Sequence, residues 1–209
     1  MKDDFTKIPV NAYKLASLAK LSCEFAYDSQ FDIEKYIKNR MGQSFAEAED
    51  KAFIGGNGTT EPTGILHATN GAQTGITSKS LTLDSVIGLF LSVKPKYRKN
   101  AVWLMNDTTA LTLRKMKDSD GGYLWNITND TILGKPIVIC NEMPNIASGK
   151  KPVAFGDFSF YNIIDRSPVS IKPIKELYAA NGRVGYVGYE RLDGGLIRTE
   201  AVKVIEITT

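Results

Sequence analysis

The fold is decided by residues 33–66, which read IEKYIKNRMGQSFAEAEDKAFIGGNGTTEPTGIL. Apolar side chains recur every three or four residues along the first part of this stretch, at Ile33, Ile37, Met41, Phe45, Ala48 and Ala52. This spacing predicts an amphipathic helix with one apolar stripe and charged residues on its other faces. The Gly55-Gly56 pair ends the helix, because glycine is the common residue just past a helix C-terminus.

The start of this helix is predicted just before residue 33. Asp28-Ser29 offers an N-cap, and Asp32 follows Ser29 by three residues, which approximates a capping box. The helix then has about 24 residues and a length of about 36 Å, roughly twice the usual size. A helix that long with a single apolar stripe is expected to lie across a sheet as a strut.

The flanking segments predict shorter elements. Residues 5–21 alternate loosely and indicate extended or mixed structure, whereas residues 66–80 are polar and loop-like. Thr82 or Asp84 opens a second helix, which Pro95 ends. Its apolar face is predicted to contain Leu83, Val86, Ile87, Phe90 and Leu91.

The rest of the chain is predicted to be mostly β. Residues 101–105 are an apolar strand, Asn106-Asp107 caps a third helix carrying Leu111, Leu113 and Met116, and residues 118–122 form a turn. Short strands are predicted at 137–139, 153–155, 160–164, 169–171, 184–191 and within 196–207, with a hairpin-type turn at Asp193-Gly194-Gly195. Helices followed by many strands, without regular alternation, favour an α+β class.

Composition excludes several classes of function. The 209 residues carry 26 Lys and Arg against 23 Asp and Glu, an excess too small to indicate nucleic-acid binding by charge alone. Cys23 and Cys140 cannot form a disulfide framework and fit buried thiols in a reducing compartment. No run approaches the roughly 20 apolar residues of a membrane span, and residues 1–5 do not resemble a signal peptide. We expect a soluble intracellular protein.

The sequence contains only weak matches to the motifs of catalytic, metal-binding and nucleotide-binding sites. His67 is the single histidine, which excludes a His-rich metal site, and no G-x-S-x-G elbow occurs. The 55–64 glycine loop lacks the lysine of a phosphate-binding loop and has Glu61 where a dinucleotide site needs glycine, so we interpret it as a structural turn. Residues 118–129 lack the glycine and glutamate of a calcium loop.

Charged clusters have ordinary structural explanations. Glu47, Glu49 and Asp50 are interleaved with basic residues and are interpreted as a solvated helix face. Residues 94–99 carry four basic side chains at a helix C-terminus, where cations suit the helix dipole, although contact with nucleic acid is the alternative. The sequence therefore predicts no catalytic residue, no cofactor and no metal site.

A set of motifs resembles one family over nearly the whole chain. The first is the helix that runs through residues 46–50 and into the glycine loop. The others follow in order: Trp103-Leu104-Met105-Asn106, 122–124, 133–137, Met143-Pro144, 155–158, 161–166, 186–191, Asp193-Gly194 and Ala201. In this order they resemble the Hong Kong 97-type major capsid protein of tailed phages. Its structural motif falls here on Gly55, Gly56, Gly58, Pro62 and Gly64.

The resemblance implies a fold and a function. The expected α+β fold has a spine helix at about 28–53, a peripheral domain at 1–66 and 171–196, and an axial domain at 67–170 and 197–209. The expected function is that of a structural subunit of an icosahedral phage or prophage head shell, which self-assembles into pentameric and hexameric capsomers around packaged DNA. Implied partners are copies of itself, scaffold, portal and maturation protease, with DNA bound only non-specifically and no membrane.

The sequence also departs from the family pattern. It enters the pattern just ahead of the spine helix, so we expect the N-terminal arm, most of the extended loop and any scaffold segment to be absent. We assign no residues to covalent crosslinking between subunits, because the extended loop that would hold the crosslinking lysine is among the segments expected to be absent. Two alternatives stay open: an encapsulin-like bacterial compartment shell, and an enzyme or anionic-ligand binder using the 55–64 loop. Before assembly the subunit is expected in the host cytoplasm.

Overall fold

The computed structural model describes residues 10–24, 32–117, 125 and 131–209. Within these ranges the protein has two β-sheets, and one long and three shorter α-helices lie wholly inside them. The helices are α1 (Ile33–Gly55), α2 (Leu83–Ser92), α3 (Pro95–Arg98) and α4 (Asp107–Arg114). The strands are β1 (Tyr13–Ser22), β2 (Gln73–Ser78), β3 (Val102–Met105), β4 (Thr131–Ile132), β5 (Lys135–Ile139), β6 (Val153–Gly156), β7 (Tyr161–Ile174), β8 (Arg183–Leu196) and β9 (Val202–Ile207). This mixture of helix and sheet confirms the predicted α+β class.

The long helix α1, which we call the spine helix, is close to its predicted extent. Its 23 residues span about 34 Å at about 1.5 Å per residue. The predicted cap at Asp28-Ser29 lies outside the described residues. In the structure Asp32 is the N-cap, and its carboxylate accepts a hydrogen bond of 3.0 Å from the Lys35 amide. The helix ends at Gly55, as the glycine pair predicts.

The spine helix lies on a three-stranded antiparallel sheet. The strand order is β1-β8-β7, so β8 is central and pairs with β1 over residues 183–192 and with β7 over residues 185–196. The predicted stripe is buried at Ile33, Ile37, Met41 and Phe45, and it packs against Leu15, Ala19, Leu21, Ile171 and Tyr186 of the sheet. Near the C-terminus of the helix the buried residues are Phe53 and Ile54. Ala48 and Ala52, which the predicted stripe contains, are only half-buried.

One sequence prediction within this sheet is wrong, and in another the strand residues are confirmed but not their division into two strands. Asp193-Gly194-Gly195 is not a hairpin turn, because β8 runs straight through it and Gly194 pairs with Ile163 of β7. The predicted strands at 160–164 and 169–171 are parts of one 14-residue strand, β7. β7 contains Pro168 and Pro173, which an edge strand tolerates because one side of its backbone has no ladder partner.

The second sheet has six strands in the order β2-β9-β6-β3-β5-β4. Its largest core side chains are Trp103 and Phe155, whose ring centroids lie 4.2 Å apart. The Trp103 indole N–H donates to the Ile132 carbonyl at 2.9 Å, so the buried ring also satisfies its polar atom. The strands predicted at 101–105, 137–139 and 153–155 are all present in this sheet.

The sequence did not predict β2, which lies in the segment interpreted as a polar loop. β2 pairs in parallel with β9, and Ile76 is its one large apolar residue. Gly75 lies so close to α2 that an added Cβ would stand 2.6 Å from the Ser92 hydroxyl and 2.8 Å from Leu89. The strand is therefore held by its sheet partner and by close packing rather than by its own hydrophobicity.

Helix α2 begins where predicted but buries a different face. Thr82 is its N-cap and forms a capping box with Ser85. Val86 and Leu89 are buried, whereas Ile87 and Leu91, predicted to be on the same face, are 36% and 59% exposed. Pro95 ends the helix and also begins α3, where it occupies the first turn and needs no N–H partner.

Helix α4 begins as predicted after Asn106, whose side chain accepts from the Thr109 amide at 2.8 Å. Leu113 is buried and Met116 is partly buried, but Leu111 is 50% exposed. The predicted turn at 118–122 and the calcium-loop positions Tyr123 and Asn129 lie outside the described residues. Across the ranges that the structure describes, no helix is long and apolar enough to span a membrane.

Candidate functional site: the glycine turn at the end of the spine helix

The glycine turn, residues 55–64, folds back on the end of the spine helix. The Gly56 amide donates to the Ala52 carbonyl at 2.8 Å, and the Gly64 amide donates to the Gly56 carbonyl at 3.0 Å. Between them the Asn57 side-chain oxygen accepts from the backbone amides of Thr59 and Thr60 at 2.8 and 2.9 Å. These bonds satisfy the polar backbone of the turn internally, which leaves it few groups to offer a ligand.

Glycine is required at three of the motif positions. A Cβ on Gly56 would overlap the carbonyl oxygens of Pro62 and Ala52, and a Cβ on Gly64 would stand 2.6 Å from the Ile54 oxygen. Gly58 has φ +67°, a left-handed conformation that favours glycine. These glycines therefore permit backbone contact and a left-handed bend.

Of the two remaining motif positions, Pro62 has a structural role and Gly55 has no steric requirement for glycine. The Pro62 carbonyl accepts from the Gly58 amide at 3.4 Å, so Pro62 helps to close the turn. An added Cβ at Gly55 would meet nothing within 4 Å, and its φ is not positive. The structure therefore gives no steric reason for glycine at position 55.

The turn connects the spine helix to both sheets. Toward the three-stranded sheet, the Thr63 amide donates to the Gly194 carbonyl at 3.0 Å, and the Tyr161 hydroxyl donates to the Thr63 carbonyl at 2.9 Å. Toward the six-stranded sheet, Ile54 and Ile65 are buried in one cluster with Leu104, Ala154, Val202 and Val204. Displacement of the turn would therefore disturb both sheets.

Two tyrosine hydroxyls fix the turn from the three-stranded sheet. Tyr13 of β1 donates to the Gly58 carbonyl at 2.9 Å, while Tyr161 of β7 bonds Thr63. Burial raises the pKa of Tyr161 far above its ordinary value, and the nearby Asp193 carboxylate adds to the effect. The Tyr161 hydroxyl consequently stays protonated at neutral pH and serves as a permanent donor.

A groove of about 540 Å³ lies beside the turn and is lined in part by Thr63, Asn70, Asn162 and Asp193. Asp193 is the one charged side chain in its described lining. Both carboxylate oxygens are engaged, one by the Asn11 amide at 2.6 Å and the other by the Gly194 amide at 2.8 Å. A negatively charged lining repels an anion, which counts against the anionic-ligand hypothesis.

The comparisons with known proteins identify the family. The model of the phage capsid family matches residues 1–207. The chain belongs to the phage capsid family. It is also 31% identical to the capsid of an empty GTA particle computed with C5 symmetry, with a TM-score of 0.84 over 97% of this chain and 75% of that one.

Other solved structures agree with this membership. The capsid of the native GTA particle is 32% identical with a TM-score of 0.83, over 97% of this chain and 74% of that one. The Gordonia phage Cozz structure, at 14% identity, shares the fold with a TM-score of 0.69 over 100% of this chain and 77% of that one. A comparison with curated proteins gives no match.

Family membership confirms the main sequence predictions. The fold is of the Hong Kong 97 type, and the capsid protein is a structural subunit of a phage head shell, located in the virion capsid. Because a shell is built from many copies of one subunit, its partners include copies of itself. The encapsulin-like alternative is not favoured by these relatives.

The remaining candidate residues of the capsid protein have local roles. The His67 Nδ1 atom accepts from the Asn70 amide at 3.1 Å and so shapes a turn. Glu200 bonds Lys94, Lys96 and the Tyr97 hydroxyl, so two members of the basic cluster already have a carboxylate partner. The Arg98 guanidinium caps α2 by donating to the Val93 carbonyl at 2.6 Å.

The cysteines and acidic clusters offer no metal site. Cys23 and Cys140 are free and half-buried, and burial raises the pKa of the Cys140 thiol, which lowers its reactivity. Within the described ranges, no three His, Cys, Asp or Glu side chains come together in a way that could hold a metal ion.

One carboxylate pair was missed by the sequence analysis. Glu49, interpreted as part of a solvated face, is close enough to Glu190 of β8 to raise the pKa of that group. Glu190 is only 5% exposed. Burial, the Glu49 carboxylate and the Asp165 carboxylate together raise the pKa of Glu190 from 4.5 to about 7. A signal was available, because Glu190 occupies an inward position in the alternating strand pattern.

Proposed function

We propose that this capsid protein assembles into pentameric and hexameric capsomers of an icosahedral phage or prophage head around packaged DNA. The observation that supports this most is the 31% identity, over 97% of the chain, to the capsid of an empty GTA particle computed with C5 symmetry. The spine helix suits such a role because a rigid strut keeps two sheets in a fixed geometry while neighbouring subunits press on them.

We also propose that the two sheets belong to two domains. The spine helix and the three-stranded sheet form the peripheral domain expected at 1–66 and 171–196, and the six-stranded sheet forms most of the axial domain expected at 67–170 and 197–209. All of β7, from Tyr161 to Ile174, pairs with β8. We therefore assign the whole strand to the peripheral domain rather than dividing it at residue 171.

We infer that the capsid protein has no catalytic activity. Support comes from the engaged polar groups of the glycine turn, from the carboxylate lining of its groove and from the local roles of His67 and Glu200. Scaffold, portal and maturation protease are proposed as further partners, with DNA bound without sequence preference. The host cytoplasm is the proposed location before assembly.

Sedimentation velocity and electron microscopy of the purified chain across a range of ionic strengths test the assembly proposal. We expect rings of five or six subunits, or closed shells, whose abundance changes with salt because capsomer contacts are partly charged. A chain that remains monomeric at every protein and salt concentration would contradict the proposal.

A thermal-shift screen with nucleotides tests the absence of a ligand at the glycine turn. We expect no change in melting temperature with any nucleotide. A rise of several degrees that disappears in Gly58→Ala, with the variant shown to be folded by circular dichroism, would instead support the anionic-ligand hypothesis.

A further inference from the structure

The spine helix crosses β8 at two glycines and one glutamate. An added Cβ at Gly188 would stand 2.8 Å from the Phe45 ring, and one at Gly194 would stand 3.0 Å from the Phe53 ring. Phe45 and Phe53 are eight residues apart on the helix, so Glu49 lies midway between them on the same face. Glu190 lies between the two glycines on the inward side of β8, because residues 188, 190, 192 and 194 point the same way.

The crossing therefore places Glu49 opposite Glu190 in an otherwise apolar interface. Glu190 is 5% exposed, and its Oε1 atom has no hydrogen-bond partner among the described residues. Burial and the facing Glu49 carboxyl raise the pKa of Glu190. Carboxylates that are both ionised are acceptors only, so the two groups can form a hydrogen bond only while the pair holds a proton.

Within the described ranges, the two charged groups that act on Glu190 are both carboxylates, Glu49 and Asp165. Asp165 lies on β7 and has the same sign as the pair. On β1 the residue opposite Glu190 is Leu15. The neighbouring Lys14 lies on the other face of the sheet, with its ammonium 4.0 Å from the centre of the Tyr189 ring. Among the described residues, the salt bridges join other side chains.

We propose that Glu49 and Glu190 form a protonation-dependent clasp, which holds the spine helix on the three-stranded sheet while the pair shares a proton and loosens it when both carboxylates are ionised. The clasp lies within a single subunit, so it does not depend on how subunits assemble. This inference goes beyond the proposed shell function, because it gives the spine helix two positions that differ in the number of protons bound to Glu49 and Glu190.

The sign of the pH effect follows from the two states. The pKa of Glu190 is about 7 in the closed state and 4.5 when the group is exposed. The closed state therefore binds more protons between these values, and its stability falls as the pH rises from about 4.5 to about 7. A difference of about 2.5 pKa units corresponds to an opening equilibrium on the order of a hundred-fold larger above pH 7 than below pH 4.5.

Hydrogen exchange of the full chain, measured by mass spectrometry, tests the clasp. Peptides covering α1 and β8 are compared at pH values on both sides of 7, after correction for the intrinsic exchange rate. We expect protection in these peptides to fall with rising pH in the natural sequence. In Glu190→Gln the fall should disappear, because glutamine keeps the shape of the side chain without its charge.

Two further variants keep the test decisive. Glu47→Gln changes an exposed carboxylate on the same helix and should leave the pH dependence unchanged. Glu49→Gln removes the partner charge at the half-exposed end of the pair and should reduce the pH dependence even if Glu190→Gln fails to fold, although burial still raises the pKa of Glu190 in this variant. Equal pH dependence in the natural chain and in Glu49→Gln or a folded Glu190→Gln would overturn the proposal, as would loss of the dependence in Glu47→Gln.

Discussion

Replacing Gly56 by alanine should destabilise the subunit far more than replacing its neighbour Gly55. An alanine Cβ at position 56 would lie 2.1 Å from the Pro62 oxygen and 2.3 Å from the Ala52 oxygen. Both atoms belong to the backbone, so no side-chain rotation relieves the overlap. Real Cβ atoms essentially never approach another heavy atom more closely than 3.0 Å, so the backbone must shift by at least 3.0 − 2.1 Å, or 0.9 Å.

The size of the effect follows from what such a shift breaks. It removes the bonds from Gly64 to the Gly56 carbonyl and from Ile65 to the Phe53 carbonyl, which are 3.0 and 2.7 Å long. Each buried backbone bond contributes about 1 kcal/mol, and the overpacking costs about 1–3 kcal/mol. We therefore expect Gly56→Ala to lower the free energy of unfolding by about 3–5 kcal/mol, a large part of a typical total.

Gly55→Ala provides the matched control. The added methyl meets nothing within 4 Å, and alanine at a helical position is favoured over glycine by up to about 1 kcal/mol. Urea unfolding followed by circular dichroism measures both variants under one condition. If Gly56→Ala and Gly55→Ala differ by less than about 1 kcal/mol, the steric explanation of the glycine turn is wrong.

Three further predictions concern single side chains. Tyr161→Phe leaves the Thr63 carbonyl without its donor, so urea unfolding should show a loss of about 1–2 kcal/mol. Thr82→Ala removes the capping box of α2 and should cost about 1 kcal/mol in the same assay. Glu200 has a pKa lowered to about 2, chiefly by the hydrogen bond from Lys94. Its contribution to the free energy of unfolding is therefore complete above pH 4.5 and is lost as the pH falls through 2. Glu200→Gln should therefore flatten this part of the acid-unfolding curve, and an unchanged curve would contradict that role.

The sequence predicted the elements whose own residues determine them. The spine helix has a regular apolar stripe, and Asn106 and Thr82 are strong N-caps, so α1, α2 and α4 begin within a few residues of their predicted starts. The short helix α3 was not predicted. Strands β3 and β6 are short apolar runs that a buried sheet requires. For these elements local pattern and tertiary environment favour the same structure.

The wrong predictions concern residues whose structure is set by distant partners. Asp193-Gly194-Gly195 resembles a hairpin turn, but Gly194 is small because the Phe53 ring occupies the space above it. β2 is polar and exists because β9 pairs with it. Glu49 and Glu190 are 141 positions apart in the sequence. Until the crossing of the spine helix over β8 is known, nothing in the sequence distinguishes Glu49 from a solvent-exposed glutamate.

The position of β9 in the six-stranded sheet has a consequence for biosynthesis. β9 lies between β2 and β6, yet it follows every other described strand in the chain. While the ribosome is still translating earlier codons, β2 has no partner and the interior of the sheet is open to solvent. The subunit therefore completes this sheet only after residues 202–207 have emerged from the exit tunnel, so a newly made chain cannot present a finished subunit surface before that segment has been synthesised.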